Sequence, residues 1–149
     1  MNQPFARAPP KTVQSASMER RLWFAVVMLL TACTAKTQPP VFPPNVASEW
    51  QLKGSQSFPA ASAPDLVRKI GTRGWWRATY EGPGSATVEL YELTSPAGGL
   101  QMVQESRPVA DTVVWYTPHY FIVVKWRNSD RSAVSAFVRA VEKQFAEDK

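Results

Sequence analysis

Few side chains in this 149-residue chain are of types that do chemistry, and their spacing excludes more than it offers. Histidine occurs once, as His119, beside Pro118 in a stretch that reads as a turn; cysteine occurs once, as Cys33. An ordinary zinc site wants several His or Cys ligands at defined spacing, so no metal and no cofactor is expected. A serine nucleophile would need presentation by something like G-x-S-x-G, which is missing. The GPGSA stretch, residues 82–86, has no phosphate-loop lysine and joins two strand-like segments; a hairpin turn is the better reading. Carboxylates remain. Glu89 and Glu92 are three apart, so in a strand they point to opposite faces. Glu81, Glu105 and Asp111 come from different loops. No catalytic residue is assigned, and a small hydrolase working through loop carboxylates is kept as the alternative to a non-catalytic reading.

Tryptophan is more plentiful: Trp50, Trp75, Trp76, Trp115 and Trp126 all follow Cys33. In GWWRATYEG, residues 74–82, Trp76, Ala78 and Tyr80 alternate with Trp75, Arg77 and Thr79. In SATVELYEL, residues 85–93, Ala86, Val88 and Leu90 alternate with Thr87, Glu89 and Tyr91. One face of this hairpin is core. The other places Trp75, Arg77, Glu89 and Tyr91 together, away from the helices. Those four are the candidate binding residues, an aromatic platform for a sugar ring or a partner chain. The plainer reading, that the rings fill a thin core, is preferred, and the platform is the best functional lead.

The elements that must position these residues follow from periodicity. EWQLKGS, residues 49–55, is a first strand. SAPDLVRKIG, residues 62–71, is a short helix with Ser62 as N-cap, Gly71 as C-cap and a stripe of Leu66, Val67 and Ile70. After the hairpin, Ser95-Pro96 opens a second helix, in which Gly98 and Gly99 each cost up to ~1 kcal/mol, so it must borrow stability from packing. DTVVWYT and YFIVVKW form a second hairpin turning at Pro118-His119. A last helix, capped by Ser129 or Asp130, carries Val134, Phe137, Val138, Val141 and Phe145 at helical spacing. The expected fold is α+β: an antiparallel sheet of about five strands, in the order β-α-β-β-α-β-β-α, with the helices packed on one face. It is similar by pattern to small exported α+β domains of uncharacterised function.

Before this domain the composition changes. Nine apolar residues, LWFAVVMLL from Leu22 to Leu30, follow Arg20 and Arg21. A membrane span needs about 20 apolar residues, so the run suits the h-region of an export signal. It ends in Leu30-Thr31-Ala32-Cys33, and the segment resembles a bacterial lipoprotein signal peptide with its lipobox. The resemblance implies a diacylglycerol on the Cys33 thiol, cleavage before it, and commonly a palmitate or similar acyl group on the new amine. It also implies a place in the cell envelope, lipid-anchored and facing the periplasm. Thr34 follows Cys33 where an aspartate would resemble an inner-membrane retention signal, so the outer membrane is the expected one. Residues 1–17 fit poorly as an n-region and are expected to be a mis-annotated extension before a start at Met18. The expected organisation is then 18–32 signal peptide, 33–47 lipidated cysteine and proline-rich linker, and 48–149 a single domain.

Charge agrees with that division. The formal +5 of the whole chain shrinks to +2 from Cys33 onward, with 13 basic against 11 acidic residues. No nucleic-acid footprint of clustered basic residues results. With its one cysteine lipidated the exported domain has no disulfide and must stand on its core. The functional expectation is a membrane-anchored, non-catalytic module that binds an envelope protein or polymer, its oligomeric state open.

Overall fold

The computed structural model describes residues 39–146, so the expected signal peptide and lipobox, with Cys33, lie outside the described residues. Six strands form one antiparallel sheet: β1 (Asn45–Val46), β2 (Trp50–Pro59), β3 (Thr72–Glu81), β4 (Ser85–Leu93), β5 (Thr112–Tyr116) and β6 (Tyr120–Arg127). Their order is β1-β2-β3-β4-β6-β5. The three α-helices are α1 (Asp65–Ile70), α2 (Pro96–Glu105) and α3 (Arg131–Ala146). Among the described residues no helix is long and apolar enough to cross a membrane.

Two expectations about the sheet need correction. It has six strands, not about five, because the proline-rich segment enters the fold. Phe42 packs edge-on against Phe145 at 5.9 Å, and Val46 pairs with Trp50 and is buried. The carbonyl of Pro44 accepts from the Leu52 N–H at 2.8 Å, and that of Pro43 from the Tyr80 hydroxyl at 3.2 Å. Proline lacks a donor but keeps its acceptor, so a Pro-Pro pair can still edge a sheet. The fold thus begins by Phe42 instead of Ser48.

The second correction concerns the helices, which lie on both faces. On one face α3 buries Ala133, Phe137, Val141 and Phe145 against Trp50, Tyr80, Leu90, Ile122 and Val124. Asp130 caps α3, its carboxylate accepting from the N–H groups of Ser132 and Ala133 at 2.8 and 2.9 Å. On the other face α1 and α2 bring Val67 and Met102, with Ala63 of the preceding turn, onto Trp75, Tyr91, Leu93, Phe121 and Val123. These short helices have too little apolar surface to stand alone and share a second core. Gly98 and Gly99 are buried there. A β-carbon at Gly99 would lie 2.6 Å from the Tyr116 ring, so glycine is what lets α2 approach β5 closely. Gly71, at φ 116°, ends α1 in a conformation that suits glycine. Ser62 does not cap α1; its hydroxyl donates to the Pro59 carbonyl and accepts from the Trp75 indole at 3.1 Å.

Candidate functional site

The face that carries α1 and α2 is covered only in part. Strand register lays its side chains out in rows across β2, β3, β4 and β6. Phe58, Trp75, Tyr91 and Phe121 form an aromatic row beneath the helices. Phe58 stacks on Trp75 with ring centroids 4.1 Å apart, and Trp75 on Tyr91 at 5.4 Å. Only 5% of Trp75 and 2% of Tyr91 is exposed, so these rings are core and form no open platform. They would have been surface if the helices had kept to one face.

One register step on, the row becomes Gln56, Arg77, Glu89 and Val123, and here the helices stop covering the sheet. Glu89 is buried, with 5% of its surface exposed. Arg77 donates to its Oε1 through Nε and Nη2 at 3.2 and 3.0 Å. The Tyr91 hydroxyl and Lys125 Nζ donate to Oε2 at 2.9 and 3.0 Å. Burial alone would raise the carboxyl's pKa. The bond and charge of Lys125, the Tyr91 hydroxyl and the Arg77 charge outweigh it, holding Glu89 below the usual 4.5 and therefore ionised. Tyr91 is pushed the other way, first by burial and then by the Glu89 charge it faces. The Arg77 guanidinium also lies over the Trp75 and Phe58 rings, 5.0 and 5.5 Å from their centroids, which fixes the plane of its fork.

Around this group the surface forms two hollows. A polar one, of about 360 Å³, is lined by Arg77, Lys125, Arg127, Thr79, Ser85 and Thr87 as well as Glu89. It holds three cations against one carboxylate. Arg127 has no ion pair among the described residues. The second, of about 350 Å³, runs between α1, the segment after α2, and β5–β6. Its lining includes Leu66, Val67, Val109, Val114, Phe121 and Val123, with Glu105 and Arg107. Glu89 and Lys125 line both hollows.

Of the four sequence-predicted binding residues, the structure joins Arg77 to Glu89 directly and Tyr91 to Glu89, while Trp75 supports Arg77 from below. Lys125 and Arg127 were missed. Their signal is parity in YFIVVKWR, where both alternate with the core-facing Ile122 and Val124; what places them beside Glu89 is the pairing of β6 with β4, which a reading by consecutive hairpins does not supply. Among the described residues no cluster of His, Cys, Asp or Glu is arranged to hold a metal ion. Compared with known proteins, the chain matches no family model, no curated protein and no solved structure.

Proposed function

We propose that this chain is a lipid-anchored, non-catalytic binding module of the bacterial cell envelope, and that its ligand is an anionic amphiphile: an apolar body with a carboxylate or phosphate head. One observation carries the ligand class, namely that a cationic hollow and an apolar trough meet at Glu89 and Lys125. Ligand sites characteristically combine a mostly apolar lining with a few placed polar groups. Arg77, Lys125 and Arg127 offer charge-assisted donors to an acidic head, and Glu89 neutralises part of that charge while holding Arg77 and Lys125 in place.

The carboxylates favour binding over hydrolysis. Ionised, Glu89 is no general acid, and both its oxygens are already engaged by four donor contacts, which leaves neither free to take a proton or attack as a nucleophile. Glu105, along the same trough, accepts from the Gln101 amide at 2.8 Å.

The anchor reading rests on the LTAC pattern at Leu30–Cys33. If Cys33 carries the lipid, only the eight residues 34–41 separate it from Phe42, which limits their reach to roughly 25 Å. A module so close to its membrane suits a ligand that is itself membrane-derived, and Thr34 favours the outer membrane of a two-membrane cell.

Two experiments test the reading. Metabolic labelling with an alkyne palmitate analogue should mark the wild-type chain, and Cys33→Ser should lose label and leave the membrane fraction; an unlabelled wild type overturns the anchor. For the ligand, the full chain in zwitterionic nanodiscs is titrated with octyl phosphate, octyltrimethylammonium and inorganic phosphate, read by the fluorescence of Trp126 beside the polar hollow. Octyl phosphate should bind, and Arg127→Glu should weaken it about tenfold or more, since it removes a charge-assisted contact and adds a repelling carboxylate. Equal response to the cationic amphiphile, or none from Arg127→Glu, overturns the ligand class.

A further inference from the structure

The sheet has two edges, and they are built differently. At one edge β1 covers the start of β2, and the uncovered remainder carries Lys53, a register break between Leu52 and Gly54, and Pro59 at its end. Charge, bulge and proline are the devices that stop a strand edge from recruiting another strand. At the other edge β5 pairs only with β6, in unbroken register. Its residues, Thr112-Val113-Val114-Trp115-Tyr116, include no charge, no proline and no glycine.

The direction of its free backbone groups follows from the two ends of the ladder. The Trp126 N–H donates to the Asp111 carbonyl at 3.0 Å, and the Thr117 N–H to the Tyr120 carbonyl at 2.8 Å. In an antiparallel ladder hydrogen-bonded pairs alternate with non-bonded ones, so residues 111, 113, 115 and 117 turn inward to β6. Thr112, Val114 and Tyr116 therefore aim their N–H and C=O groups outward.

From this we infer that β5 is a homodimer edge: a second copy of this chain pairs with it, antiparallel, about a two-fold axis at Val114. In that register Val114 meets Val114 of the second copy, Thr112 meets Tyr116, and Val113 meets Trp115. About six backbone hydrogen bonds form. The strand is self-complementary because no like charges are brought opposite one another, and an isologous contact of this kind closes on itself without propagating. Hollows flank β5 on both faces, one with Val113, Trp126, Val134 and Val138 beside the charged Arg131, Arg139 and Glu142, the other with Val114 and Val123 beside Glu105 and Lys125. Alternate side chains of the added strand would rest against these walls, as in other strand-addition complexes. The inference rests on the strand edge and not on the ligand proposed above, although the added strand would share the Val114 wall of the trough with it.

The test uses the full chain in detergent micelles held in large excess over protein, followed by sedimentation across a range of concentrations. Reversible dimerisation is expected. Val114→Pro should abolish it while leaving the melting transition in place, because the lost N–H points outward and makes no bond to β6. Val114→Cys under mild oxidation should give a 114–114 linked peptide by mass spectrometry. Thr112→Cys should give no 112–112 link, since Thr112 faces Tyr116 across the axis. A chain that stays monomeric at the highest concentration overturns the inference. So do 112–112 and 114–114 links of equal yield, or a dimer that Val114→Pro leaves intact.

Discussion

Beneath α3 the sheet is lined by rings packed on rings, with Phe137 at 4.9 Å from Trp50 and 5.2 Å from Tyr80. Beyond the reach of α1 and α2, the opposite face instead carries a carboxylate held by two cations and a phenol. The two regions are built on the same strands, and adjacent residues of β4, Leu90 and Glu89, belong one to each. A sixteen-residue helix keeps most of its face of the sheet apolar; Glu92, of the same parity as Leu90, is the buried charge there and pairs with Arg73 at 3.6 Å. Two helices of six and ten residues cover less, and the strip they leave uncovered is satisfied by charge and hydrogen bonds. Interaction type here follows helix length, and binding chemistry becomes available only where cover runs out.

Removing one ring should separate the two regions most sharply. Phe137→Ala leaves a cavity among Trp50, Tyr80 and α3, at a cost of about 3–5 kcal/mol, and the midpoint of urea unfolding should move accordingly. A smaller loss would mean that α3 collapses onto the space. Next comes Glu89→Gln, which leaves Arg77 and Lys125 without their anion. Both cations are about half exposed and water takes up part of the loss, so about 1–2 kcal/mol is expected. This variant also has a pH signature. Because Glu89 titrates below its unfolded value, the unfolded chain takes up the proton first on acidification. The stability that Glu89 contributes is complete above the unfolded value and lost as pH falls through the folded one. Unfolding midpoints of wild type and Glu89→Gln should therefore converge as the pH is taken from neutral to well below the ordinary carboxyl value of 4.5. Midpoints that keep a constant gap would show that the carboxylate's ionisation is not what matters. The smallest effect is expected at Gly99→Ala. The new β-carbon would meet the Cβ and ring of Tyr116 within 2.8 Å, against which stands the better helix propensity of alanine. The Tyr116 ring is 40% exposed and can turn aside, but its Cβ moves only with the β5 backbone, so a net loss of at least about 1 kcal/mol is expected. A gain would show that α2 has room to lift from β5.

Period-two and helical patterning made most elements readable before the fold was known. The hairpin turns at Gly82-Pro83-Gly84 and Pro118-His119, the cap at Asp130 and the stripe of α3 are all local features, written in residues close together. What stayed hidden was non-local. Tyr91 and Leu93 on β4, and Phe121 and Val123 on β6, make the second face apolar over half its length, and the stripes of α1 and α2 needed some surface to cover. Those two facts together point to helices on both faces, but only once β4 and β6 are known to be neighbours. Phe42 escaped for a different reason. Four prolines within six residues read as an extended spacer, and extended backbone is also what a sheet edge accepts. As for the candidate site, Arg77 and Glu89 were found by alternation within one hairpin, whereas Lys125 came from a strand whose neighbour no turn reveals.

The contact between Phe42 and Phe145 sets the beginning and the end of the fold side by side. A short loop could therefore splice these ends together, and the chain could be reopened at Pro118-His119 to give a circularly permuted protein with the same sheet. It also means that a label fused after α3 would sit beside the first residues of the fold, reporting on whether Phe42 stays packed against Phe145.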